Sequence, residues 1–97
     1  MQRKHAGETT FLSLDAGTTA VKAALIDVTG RCLALHREEY GLSTPAPGFV
    51  ELDPHLFWEA CCRAVRQVTV GRADDVAVLC ISSQGETLVP VDAAGQP

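Results

Sequence analysis

Phe11-Leu12-Ser13-Leu14-Asp15-Ala16-Gly17-Thr18-Thr19-Ala20-Val21-Lys22-Ala23-Ala24-Leu25-Ile26 is the stretch whose reading decides the fold. The β-branched and apolar residues from Thr9 to Leu14 predict a strand that stops at Asp15-Ala16-Gly17, and a second apolar run, Ala20 to Ile26, starts almost at once. Asp27-Val28-Thr29-Gly30 has the composition of a turn. Arg31 to Glu38 then predicts a third strand, with Leu33 and Leu35 on one face. Three strands joined by tight turns make an antiparallel meander. Tyr40 to Val50 contains Pro45, Pro47, Gly41 and Gly48 and reads as a loop.

The helix that follows has a marked start. Asp53 can cap its free N–H groups, Pro54 suits the first helical position, and Glu51 adds negative charge near the positive end. Leu52 and Phe57 are spaced to form a hydrophobic staple. Leu56, Phe57, Ala60, Cys61, Ala64, Val65 and Val68 keep one face apolar, and Gly71 suits the stop. The continuous apolar run Val76 to Ile81 predicts a central strand covered on both faces and parallel to the first. Ser82 to Glu86 is a turn, Thr87 to Val91 a further short strand, and Asp92 to Gly95 a last turn. The expected class is α/β: a three-stranded meander, a helix and a parallel central strand.

Composition narrows the function classes. The chain has 97 residues, 46% of them hydrophobic, with a net charge of −4, so it is one domain at most and not a disordered segment. A chain this short buries only about 60–65% of its unfolded surface, which leaves little margin of stability. The acidic balance, without any run of Lys or Arg, argues against a nucleic-acid or anionic-membrane partner. No apolar run approaches the roughly 18 residues needed to span a bilayer. Residues 1–8 read as a disordered polar arm without the apolar core of a secretory signal, so the cytoplasm is the expected compartment. Cys32, Cys61, Cys62 and Cys80 form no C-x-x-C pair and read as reduced apolar residues, and the histidines have no ligand spacing.

Three places could carry chemistry. In the hairpin Asp15-Ala16-Gly17-Thr18-Thr19-Ala20-Val21-Lys22, successive N–H groups and hydroxyls can converge on an anion such as phosphate. Asp15 would repel that phosphate unless a Mg²⁺ ion, bound partly through water, lay between them, and Lys22 could balance the charge from the next strand. An ordinary Gly- and Thr-rich hairpin accounts for the same residues about equally well. Pro47-Gly48-Phe49-Val50-Glu51-Leu52-Asp53-Pro54 is explained by loop and helix-cap physics alone, and packing explains Trp58 as well as a sugar platform would. Ser82-Ser83-Gln84-Gly85-Glu86-Thr87 lies past the carboxyl end of a buried strand, where ligands collect in open α/β sheets. The amide of Gln84 and the carboxylate of Glu86 suit the hydroxyls of a polyol.

In that order, the D-A-G-T-T-A-V-K hairpin, the P-G-F-V-E-L-D-P helix entry and the I-S-S-Q-G-E-T turn resemble the start of an FGGY-family carbohydrate kinase, from about Phe11 to Gln96. The family includes xylulokinase and glycerol kinase. The resemblance implies that residues 9–97 are the N-terminal portion of a ribonuclease H-like domain of the actin-like ATPase type. It implies ATP and Mg²⁺ as cofactors and transfer of the γ-phosphoryl to a sugar or polyol hydroxyl. By position, Asp15 would be the metal-associated aspartate, Gly17, Thr18 and Thr19 the first phosphate loop, and Lys22 a basic position of the family. Gln84, Gly85 and Glu86 would lie at the substrate. Glycerol kinase has Arg-Glu and xylulokinase Met-His where this chain has Gly85-Glu86, so the resemblance does not fix the sugar. The catalytic-base aspartate is expected beyond Pro97, which makes the isolated chain inactive as a kinase and assigns it no catalytic residue of its own. A homodimer of the intact enzyme is compatible with this reading.

Two rival readings stand beside it, one from another class and one from the same superfamily. A small homodimeric aspartic protease would use Asp-Thr/Ser-Gly near Asp15, but Ala16 removes its hydroxyl and the predicted helix does not suit an all-β fold. A non-kinase actin-like ATPase would share the D-x-G-T loop without needing the Gln84-Gly85-Glu86 turn.

Overall fold

The computed structural model describes residues 8–84 and 88–97. Four strands, one helix and a short 3₁₀ turn follow in the order β1 (Thr10–Ala16), β2 (Ala20–Asp27), β3 (Cys32–Glu39), α1 (Pro54–Val68), the 3₁₀ turn (Ala73–Asp75) and β4 (Val76–Ser83). They form one mixed sheet in the order β3-β2-β1-β4. β1 pairs antiparallel with β2 and parallel with β4, and β2 pairs antiparallel with β3. The meander, helix and parallel strand are therefore as expected, and a 15-residue helix does not suit an all-β protease subunit.

The alternation of β1 decides which side of the sheet is the core. Leu12, Leu14 and Ala16 are buried, whereas Phe11 and Asp15 point to the other face and are exposed. Register places Leu12 opposite Leu25, Leu14 opposite Ala23 and Ala16 opposite Val21, so the buried sets of the two strands coincide. Against them α1 packs Ala60, Cys61, Ala64 and Val68. Small residues there let the helix approach the sheet closely. Leu25 is fully buried, and its truncation to Ala would cost about 2–5 kcal/mol.

The helix begins as its sequence predicts. Asp53 is extended, with φ −75°, and its Oδ1 accepts the His55 N–H at 2.9 Å, with Pro54 in the first turn. At the far end the N–H and hydroxyl of Thr69 both donate to the Val65 carbonyl, at 3.1 and 2.8 Å. Gly71 then takes φ +72°, a conformation that strains other residues. Leu52 and Phe57 both pack on the core, as a staple requires, but Leu56 lies outside the buried stripe at 47% exposure. Arg63 Nε donates to Glu38 Oε1 at 2.7 Å and ties α1 to β3. The Arg63 guanidinium, and next the hydrogen bond with His36, hold the Glu38 carboxyl below its ordinary range.

The Asp27 to Gly30 turn is built as expected. Asp27 Oδ1 accepts from the Thr29 N–H, the Thr29 hydroxyl and the Arg31 N–H, which lowers its pKa, and Gly30 takes φ +89°. The final turn repeats the device, with Asp92 Oδ1 accepting from the Ala94 and Gln96 N–H groups.

Two expectations are corrected and one holds in part. Leu33 and Leu35 do not share a face: the β2–β3 register slips between Leu25 and Ile26, so Leu33 packs on the core while Leu35 is 70% exposed. Among the described residues β4 lies at the edge of the sheet, parallel to β1 as expected but not covered on both faces. Because α1 lies across β2 and β3 and barely reaches β1, Leu79 and Ile81 on its core face stay more than half exposed, as does Val78 on the opposite face. Residues 88–91 form no strand, because no described strand pairs with them. The expected polar arm, apart from Glu8, lies outside the described residues.

Candidate functional site

The site grows from the end of β1. Register aligns Asp15 with Lys22 of β2 on one side and with Ser82 of β4 on the other, and Lys22 in turn with Arg37 of β3. Arg37, Lys22, Asp15 and Ser82 thus form a row across the face opposite α1, and all are exposed. Lys22 stands directly across from Asp15, where cross-strand side chains lie about 4.5–5.5 Å apart at Cβ.

The loop beyond Asp15 is held from below. The Gly17 N–H donates to the Ala20 carbonyl at 3.0 Å, and the Tyr40 N–H donates to the Thr19 carbonyl at 3.1 Å. The Tyr40 hydroxyl donates to the Gly17 carbonyl. A Cβ on Gly17 would come within 3.0 Å of the Ala20 oxygen, so this close crossing of backbone needs glycine. Among the described residues the N–H groups of Thr18 and Thr19 have no protein acceptor, and both residues are exposed. Two adjacent outward amides on a braced loop form the kind of concavity that receives an anion.

β1 and β4 run parallel and end together, Ala16 beside Ser83, so the residues leaving them emerge side by side. There the Thr18 hydroxyl donates to Gln84 Oε1 at 2.6 Å, joining residues 66 positions apart. Gly85 and Glu86 lie outside the described residues. Gln84 stands between two clefts. One, of about 380 Å³, is largely apolar and is walled by Leu52, Pro54, Phe57, Trp58 and Ile81. The other, of about 460 Å³, includes Thr18, Leu42, Glu51 and Val89. Structure thus brings the helix entry up against the two loops, which its local cap chemistry gave no reason to expect. Trp58 is 68% exposed at the first cleft, so core packing does not account for it. Cys61 also lines this cleft, and burial pushes its thiol up, away from the reactive thiolate.

Tyr40 is the residue that sequence reasoning passed over. As the first residue of a loop it carried no signal, yet it is buried, braces Gly17 and meets Phe57 edge to face at 5.2 Å. Desolvation raises its hydroxyl pKa and keeps it a donor.

Among the described residues no group of three or more His, Cys, Asp or Glu could hold a metal ion on its own. The donor set is one exposed carboxylate, Asp15, beside an anion-receptive loop. That fits Mg²⁺, which commonly takes one or two protein carboxylates and completes its shell with phosphate oxygens and water. All four cysteines are free. No helix among the described residues is long and apolar enough to cross a membrane.

Comparison with known proteins agrees with this geometry. Residues 10–97 match the N-terminal domain of the FGGY family of carbohydrate kinases. The glycerol kinase of Gloeobacter violaceus is 37% identical over 84 residues, covering 87% of this chain and 17% of the relative. That of Symbiobacterium thermophilum is 40% identical over 90 residues, covering 89% and 18%. Among solved structures, gluconate kinase from Lactobacillus acidophilus superposes with a TM-score of 0.85 at 27% identity, over 93% of this chain and 18% of that one. The ligand-bound xylulose kinase of the same organism gives 0.83 at 27%, over 91% and 18%. The chain thus spans less than a fifth of the length of these relatives. Its sheet and helix are part of a ribonuclease H-like, actin-like ATPase fold. With motif order, sheet topology and superposition in agreement, the chain belongs to the FGGY family of carbohydrate kinases, within that family's N-terminal domain.

Proposed function

We propose that residues 9–97 hold nucleotide phosphate and acceptor sugar for an ATP-dependent sugar or polyol kinase of the cytoplasm. The observation that carries this reading is the meeting of the Gly17-Thr18-Thr19 loop with Gln84 at the paired ends of β1 and β4. A phosphoryl donor and a hydroxyl acceptor must lie side by side for in-line transfer, and these two loops do.

In this reading the Thr18 and Thr19 amides bind phosphate oxygens, and Lys22 offsets their charge from the neighbouring strand. Asp15 would hold Mg²⁺, directly or through water, and the ion would supply neutralisation of the phosphate charge. Gln84, Gly85 and Glu86 orient the acceptor by hydrogen bonds to its hydroxyls. The base that takes the acceptor's proton is not among these residues, so the purified 97-residue chain is expected to transfer no phosphoryl group. Its partners are a small polyol or sugar and the remainder of the enzyme, which is compatible with a homodimer, and not a nucleic acid or a membrane.

The test is a graft. Residues 10–97 replace the matching segment of the Gloeobacter violaceus glycerol kinase, and ATP-dependent phosphorylation is assayed with glycerol, xylulose and gluconate. Transfer to one of these, abolished by Asp15→Ala, is the expected result. A folded graft that hydrolyses ATP but phosphorylates none of them would favour a non-kinase ATPase instead.

A further inference from the structure

We propose that Thr18 is a positioning residue for the acceptor: its hydroxyl latches Gln84 and fixes the sugar turn to the phosphate loop. The proposal rests on the kinase reading above and deepens it at one residue.

A threonine hydroxyl has one proton to donate. Here that proton goes to Gln84 Oε1 at 2.6 Å, so the Thr18 side chain offers phosphate no donor and serves the nucleotide through its backbone N–H alone. The same bond determines how Gln84 presents itself. With Oε1 directed at Thr18, the amide nitrogen, the group's donor, is the other end of the planar amide.

The latch has a firm base. Gly17 is pinned to the Ala20 carbonyl and to the Tyr40 hydroxyl, and Thr19 to the Tyr40 N–H, so the residues on either side of Thr18 are held by β2 and by a buried ring. Gln84 itself follows β4 directly and is exposed. A long polar side chain in that position gains orientation from each hydrogen bond it makes, the one from Thr18 among them.

Two measurements test the latch. On the 97-residue chain, two-dimensional NMR follows the side-chain amide signals of Gln84: Thr18→Val should move them, and Thr18→Ser, which keeps the hydroxyl, should leave them in place. In the graft, Thr18→Val should raise the acceptor KM by roughly three- to tenfold, the worth of one such bond, while the ATP KM holds and Thr18→Ser restores the acceptor KM. Gln84→Ala should raise the acceptor KM as well, and adding Thr18→Val to it should do little more. The latch is overturned if Thr18→Val raises the ATP KM instead, if Thr18→Ser is as impaired as Thr18→Val, or if Gln84→Ala acts while Thr18→Val does not. Should Gln84→Ala leave the acceptor KM untouched, the assignment of Gln84 to the sugar fails first, and the latch falls with it.

Discussion

The hydroxyl of Tyr40 donates to the backbone carbonyl of Gly17, joining the end of β3 to the loop after β1 across 23 positions of sequence. The ring is buried and the hydroxyl is the polar tip that reaches the loop. Tyr40→Phe keeps the ring and removes only the bond, so it should cost about 1 kcal/mol in urea unfolding. Tyr40→Ala also leaves a cavity beside Phe57 and should cost about 3–5 kcal/mol, as large aromatic truncations do. Burial raises the pKa of this hydroxyl, so the folded state holds its proton more tightly than the unfolded chain. Its contribution is fully present below the unfolded value of about 10 and is lost as pH rises through the folded one. A stability profile of wild type against Tyr40→Phe should therefore converge in alkali.

Gly17→Ala should be harmful for a different reason. The added methyl would sit 3.0 Å from the Ala20 oxygen, a backbone atom that cannot swing aside. We expect a loss of about 1–3 kcal/mol from the overpacking. In the grafted kinase, the loop shift should raise the ATP KM more than the acceptor KM.

Glu38 supplies an acid-side test. Arg63 and His36 both stabilise its carboxylate, and its pKa is lowered in the folded protein. A depressed carboxyl contributes stability above the unfolded pKa and loses it as pH falls through the folded value. Thermal melts from pH 7 downward should show wild type and Glu38→Gln drawing together below about pH 4, near the ordinary carboxylate range. A gap that stays constant with pH would remove the ion pair from the account.

Much of this architecture is legible in local chemistry. Asp53-Pro54 announces the helix, the odd-even alternation from Leu12 to Ala16 selects the core face, and Asp27 and Asp92 write their turns through their own carboxylates. The Asp15-Ala16-Gly17-Thr18-Thr19 loop stands out as a candidate site because its chemistry lies in consecutive residues. Less legible were features that depend on distant chain. The slip that leaves Leu33 inward and Leu35 outward is settled by pairing with β2, and no pattern within β3 reveals it. The Tyr40–Gly17 bond exists only once β3 has paired with β2, and the Thr18–Gln84 bond only once β4 has paired with β1. Strand β4 is the reverse case: its residues suit a covered strand, while the described residues leave it at the edge.

That edge makes the last prediction. Val76–Ser83 has neither a charge nor a proline, and its outer side has no described strand to satisfy its N–H and C=O groups. Natural edge strands are usually protected by lysine, proline or a bulge; the register irregularity of β4 falls at its start, where Ala77 is skipped, and leaves Val78 to Ser83 as a regular apolar edge of the kind that adds strands from other chains. The 97-residue chain should accordingly associate as concentration rises. Val78 is 52% exposed on the face it shares with Phe11, so a lysine there should place charge at the edge without emptying the core. Light scattering after size exclusion should find Val78→Lys less associated than wild type at equal concentration. The unfolding free energy should stay within about 0.5 kcal/mol, because the substitution is at the surface. If wild type stays monomeric throughout, or if Val78→Lys associates equally, the open edge of β4 does not govern association.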